Sequence, residues 1–218
     1  MITNRTEIMS KETIRRRIFK RLDTLYAESN LFNTFINYFG DEENYCWSEE
    51  WESGETYELL AGASRFVVVF YDFDYVVKFD YSNWADSENY NNKEMRISYY
   101  AECEGISDFF AETWYGGEFR GMPFTLMKKA DTNCTKICSD ASSNYYVSEQ
   151  KNYDEQSGCF DLEEIEFMVN LFRNYYSEEK VIDFLDFCID NGISDIYENN
   201  VGYINGLPVL IDYAGYWG

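Results

Sequence analysis

Three oxygen-bearing side chains toward the end of the 218-residue chain, Asp195, Asn200 and Asp212, have the types and spacing to do chemistry. Between the last two sits Asn205-Gly206, flanked by the apolar runs Val201–Ile204 and Leu207–Ile211. An Asn-Gly pair in that setting predicts a β-hairpin with a type I′ turn, because both turn positions need positive φ. Pro208 has no N–H to give a ladder, so it belongs at a strand start or on an unpaired side. Counting outward from the turn brings Asn200 and Asp212 to one open end, with Asp195 in the loop leading in. Carboxylate and amide oxygens suit a hard divalent cation such as Mg²⁺, and a second carboxylate can orient or deprotonate a hydroxyl. The same residues also suit a plain solvated hairpin, since Asp and Asn favour turns.

A fourth candidate is Lys78, the one lysine in the apolar run Tyr75–Phe79. A lysine on a core strand needs a partner, because an unpaired buried ammonium is costly. On an edge strand the same lysine simply faces water. The chain holds no histidine, which excludes His-based acid–base chemistry, Ser-His-Asp or Cys-His nucleophiles and His metal sites. Catalysis here must run on carboxylates, lysine and amides, as phosphoryl transfer can, since positioning and charge neutralisation dominate that reaction. The six cysteines are scattered, and Cys134-x3-Cys138 with Cys159 is an incomplete zinc pattern. Reduced thiols in a cytoplasm are the expectation, in line with an N-terminus that lacks a basic-then-apolar export signal. No stretch reaches the roughly eighteen apolar residues of a membrane span.

Charge is unevenly distributed. Residues 1–22 hold seven Lys/Arg and two Asp/Glu, whereas the rest hold eleven and thirty-eight, for a total of −22. So acidic a chain repels nucleic acid as a ligand. It can instead imitate nucleic acid toward a basic partner, or simply gain solubility. The basic cluster Arg15, Arg16, Arg17, Lys20 and Arg21 can bind an anion or a membrane surface, dock on the acidic body, or face solvent.

The elements that must position these residues follow from pattern. Ser10 to about Glu28 reads as a capped helix with Ile14, Ile18, Leu22 and Leu25 on one stripe, and Leu31–Phe39 as a short helix ended by Gly40. Asp41–Thr56 reads as a linker or covering loop. Strands are expected at Tyr57–Leu60, Phe66–Tyr71 and Tyr75–Phe79, with the small-residue loop Ala61–Arg65 between the first two. Asn91–Glu104 reads as a helix. Phe109–Tyr115 and Met122–Met127 form a hairpin turning at Gly116-Gly117, and Asp131–Gly158 an extended loop. Asp161–Tyr176 and Glu178–Ile189 are helices, the second stopped by Asn191-Gly192.

Asp195-x4-Asn200, a short hairpin, then Asp212-Tyr213-Ala214-Gly215 resembles the catalytic loop and metal-binding loop of the protein-kinase-like fold. Ile193-Ser194 stands where that family has His-Arg, Ala214 where it has glycine, and the chain ends six residues after Asp212, without an activation segment. The resemblance implies an α+β, two-lobed kinase-like fold with a truncated helical lobe. Residues 1–56 form a helical extension, 57–130 the sheet-bearing lobe and 131–218 a minimal helical lobe. It further implies that Gly62, Ala63 and Ser64 cover phosphates, that Lys78 grips the α/β-phosphates of ATP, and that Glu94 orients Lys78, with Glu102 and Glu104 as rivals. Adenine meets the hinge at Met127, Lys128 and Ala130, Asn200 and Asp212 hold Mg²⁺, and Asp195 orients the attacking hydroxyl. The expected protein is an abbreviated, cytoplasmic kinase-like protein of the bacterial or phage type, transferring a phosphoryl group from ATP to a hydroxyl. The alternative is a catalytically inactive pseudokinase scaffold, acidic enough to block a basic host protein in the way of anti-restriction or anti-CRISPR inhibitors.

Overall fold

The computed structural model describes residues 10–38, 50–62, 65–80, 89–142, 162–193 and 196–214. Two helices lead. Helix α1 spans Lys11–Glu28, where the Ser10 hydroxyl accepts the Thr13 N–H as N-cap, and α2 spans Asn30–Tyr38. Strands β1 (Glu50–Ser53), β2 (Tyr57–Ala61), β3 (Arg65–Phe70) and β4 (Tyr75–Asp80) follow, then helix α3 (Tyr90–Glu104). Strands β5 (Thr113–Phe119) and β6 (Met122–Lys128) complete one antiparallel sheet in the order β1-β2-β3-β4-β6-β5. Helices α4 (Cys134–Ser142), α5 (Leu162–Arg173) and α6 (Glu178–Asp190) precede a two-stranded hairpin of β7 (Val201–Ile204) and β8 (Leu207–Leu210). The architecture is α+β. Among the described residues no helix is long and apolar enough to cross a membrane.

Strand alternation divides the sheet between two cores. Phe66, Val68 and Phe70 of β3 and Val77 and Phe79 of β4 face the apolar stripes of α1 and α2, where Ile18, Leu22, Phe32 and Phe35 are fully buried. The opposite face of the sheet therefore carries Arg65, Val67 and Lys78, and α3 packs there. A second core joins α3, α5, α6 and the β7–β8 hairpin through Ile97, Phe109, Phe172, Phe184 and Tyr213. The basic face of α1 docks on the body: Lys11 pairs with Glu112 at 2.7 Å, Arg21 with Asp72 at 2.9 Å, and Arg15 donates to the Tyr115 carbonyl.

Three expectations are corrected. Within the supposed linker, Glu50–Ser53 is an edge strand on β2. The β5–β6 turn lies at Arg120-Gly121, with φ of 52° and 85°, not at Gly116-Gly117. Those two glycines form an irregularity in β5: a Cβ at Gly116 would collide with the Phe124 ring, and one at Gly117 would press on the Phe19 ring at 3.0 Å. In the supposed loop after Asp131, Cys134–Ser142 is helix α4.

Candidate functional site

The Asn205-Gly206 turn forms as the pair requires, with φ of 53° and 81°. Val201 pairs with Leu210 at the open end, and the Ile211 N–H donates to the Asn200 carbonyl at 2.9 Å. Asn200 and Asp212 thus leave the hairpin together. The hairpin is anchored from both sides. Asp131 and Tyr203 exchange two backbone hydrogen bonds of 2.9 Å, and the Ala111 N–H donates to the Leu210 carbonyl at 2.8 Å. Tyr213 is fully buried, and its hydroxyl bonds the Ala111 carbonyl and Thr113 Oγ1. Asp212 is held in place by these neighbours.

Asp212 faces the polar patch on the α3 side of the sheet. Lys78, 6% exposed, reaches Glu94 Oε1 at 3.0 Å and Oε2 at 3.2 Å, and donates to the Ile211 carbonyl at 2.8 Å. Of the three glutamates considered on α3, Glu94 is fully buried against Lys78, while Glu102 and Glu104 are exposed. The start of α3 is fixed to β4: Asn89 caps the helix, the Asn91 amide donates to the Lys78 carbonyl, and the Asn91 N–H donates to Asp80. These bonds set the angle at which Glu94 meets Lys78.

The sequence reading placed Arg65 at the end of the loop expected to cover phosphates, but it is the first residue of β3 and the hub of the site. At the foot of β3 and 6% exposed, it pairs through Nη1 with Glu94 Oε1 at 2.6 Å, and it donates from Nη2 to Asp212 Oδ1. Two cations and two carboxylates thereby form one electroneutral cluster. Burial opposes the ionisation of Asp212, but the Arg65 and Lys78 charges outweigh it and keep the carboxyl below its ordinary range. For Lys78, burial and the Arg65 charge outweigh the two carboxylates and lower its pKa. For Arg65, Glu94 and Asp212 more than offset burial, so it stays charged. The signal was present in strand parity: Val67 pairs with Lys78, and Arg65 stands two residues before Val67 on the same face.

The remaining candidates lie as follows. Asp195, Ala63 and Ser64 are outside the described residues, as is Cys159 of the zinc pattern. Gly62 is exposed, and its N–H closes the loop onto the Arg65 carbonyl at 2.9 Å. At the expected hinge, Met127 is buried in β6, the Lys128 N–H is taken by the Glu112 carbonyl and the Lys129 N–H by that of Asp74. The Ala130 N–H takes part in none of these bonds. Asn200 and Asp212 offer an amide and a carboxylate, which are oxygen donors a hard cation accepts. With a guanidinium already on Asp212, however, the placed residues do not fit a divalent cation. Among the described residues, no group of three or more His, Cys, Asp or Glu could hold a metal. No protein-family model, curated protein or solved structure matches this chain.

Proposed function

We propose that the chain has a kinase-like fold and binds a nucleoside triphosphate between the sheet and the β7–β8 hairpin. The observation that carries this reading is the buried Lys78–Glu94 pair, 3.0 Å apart, with Lys78 also bound to the carbonyl just before Asp212. A buried lysine held by a helix glutamate beside a carboxylate is an arrangement that presents an ammonium to phosphate oxygens. In this reading Lys78 meets the phosphates, the adenine lies toward Met127–Ala130, and Asp195 orients a hydroxyl acceptor if phosphoryl transfer occurs. ATP is the proposed ligand.

A second reading has a specific observation behind it. Arg65 holds Asp212, and the chain's net charge is −22. Both features fit an inactive kinase-like scaffold that occupies a basic partner protein. A thermal-shift titration with ATP and Mg²⁺, on wild type and Lys78→Met, separates the two. Ligand at about a hundred times its Kd stabilises by about 2.7 kcal/mol, a shift of roughly 5–10 °C for a chain of this size. The nucleotide reading expects that shift in wild type and its loss in Lys78→Met. No shift in wild type rejects nucleotide binding and leaves the scaffold.

A further inference from the structure

We infer that Arg65 takes the place of a divalent cation at Asp212, so that the wild-type site is closed to metal by a cation of its own. The inference rests on reading Asp212 as the carboxylate beside the phosphate site. Three observations carry it. The first is geometric: the guanidinium forks between two carboxylates, with Nη1 at Glu94 and Nη2 at Asp212, and so bridges the sheet side of the site to the hairpin side. A planar guanidinium with fixed N–H directions suits such bridging, whereas an ammonium is a point charge.

The second is charge balance. Arg65 and Lys78 match Glu94 and Asp212 one for one. A divalent ion added to this set would bring two uncompensated positive charges beside a buried guanidinium, and Mg²⁺ gives up its water reluctantly. The third is that the bridge is built in. Arg65 is 6% exposed and Glu94 fully buried, so the guanidinium is part of the core on the α3 side of the sheet. Asp212, with its side chain 38% exposed, is the one member open enough to receive a cation once Arg65 is gone.

Removing only the guanidinium should therefore uncover a metal site. Arg65→Met keeps the length of the stem and leaves Lys78 paired with Glu94. It turns a neutral cluster into one with a single negative charge at Asp212. Mn²⁺ is the probe, since carboxylate, carbonyl and water ligands suit it. Its binding is followed by calorimetry at about 0.15 M salt, where the Debye length of roughly 8 Å screens the surface carboxylates. In Arg65→Met, a saturable Mn²⁺ site at least tenfold tighter than in wild type is expected, and it disappears in Arg65→Met/Asp212→Asn. Equal affinity in wild type and Arg65→Met overturns the inference. A second comparison does not depend on the folding of Arg65→Met. Wild type and Asp212→Asn should give superimposable Mn²⁺ isotherms, and a saturable wild-type site lost in Asp212→Asn overturns the inference as well. The nucleotide reading fails by a different result, the absence of an ATP-induced shift, so the two can fall separately.

Discussion

Glu94 is the residue on which the ion cluster turns, and Glu94→Ala tests that directly. Its Oε1 lies 2.6 Å from Arg65 and 3.0 Å from Lys78, and the side chain is fully buried. Truncation leaves two buried cations facing each other, with Asp212 alone to balance them. A unit charge pair at about 4 Å and an effective dielectric near 20 is worth roughly 4 kcal/mol. Breaking a buried pair by removing one partner costs about 3–5 kcal/mol, because the other charge stays buried. Against a total stability of about 5–15 kcal/mol, that is a large share. Urea denaturation should show a loss of about 3–5 kcal/mol, and the midpoint of thermal unfolding should fall by roughly 6–20 °C. The partner variant sharpens the argument. In Lys78→Met/Glu94→Gln the Arg65–Asp212 pair remains neutral, so the double variant should be more stable than the two single losses predict, by about 1–3 kcal/mol. A loss below about 1 kcal/mol in Glu94→Ala, or strict additivity in the double variant, would refute the claim that these charges act as one cluster.

Two further outcomes test the supports of the site. At Gly202 a Cβ would stand 2.6 Å from the Ala130 Cβ and 3.1 Å from the Asp131 carbonyl oxygen, neither of which can swing away. Gly202→Ala should prise the hairpin from the 130–131 segment and cost about 1–3 kcal/mol in a thermal melt, and an unchanged melt would contradict that packing. Asp140 Oδ2 accepts from the Tyr203 hydroxyl at 2.6 Å, the Tyr175 hydroxyl at 2.7 Å and Lys136 at 3.0 Å. The tyrosine bonds first, then the lysine, hold its carboxyl at about 2. A folded-state pKa below the unfolded value stabilises above the unfolded pKa, and that stability is lost as pH falls through the folded one. After allowance for solvent screening, Asp140→Asn should cost about 1 kcal/mol at pH 5, measured by denaturant unfolding. The gap from wild type should close as the pH drops from about 4 toward 2, and a gap constant with pH would exclude the carboxylate as its source.

The sequence by itself determined what local rules govern. Asn205-Gly206 is a turn because positive φ is cheap there, and that alone brings Asn200 and Asp212 together. The stripe of Ile14, Ile18, Leu22 and Leu25 made α1, and the β-branched and aromatic runs made β3 and β4 with Lys78 in the second. Tertiary structure decided what depended on partners distant in the chain. Glu50–Ser53 is a strand because β2 offers it an open edge, which no local pattern records. Gly116 and Gly117 read as a turn, but Phe124 and Phe19 use them as places for a ring to approach, so the chain turns at Arg120-Gly121 instead. The resemblance put Glu94 ahead of Glu102 and Glu104, but its burial against Lys78 depends on how α3 is laid on the sheet, at the angle fixed by Asn91 and Asp80. Arg65 joins Asp212 across 147 residues of chain. Strand parity puts Arg65 on the face of Lys78, but charge attraction acts through space, so that Asp212 is its partner is supplied only by the folded arrangement of sheet, helix and hairpin.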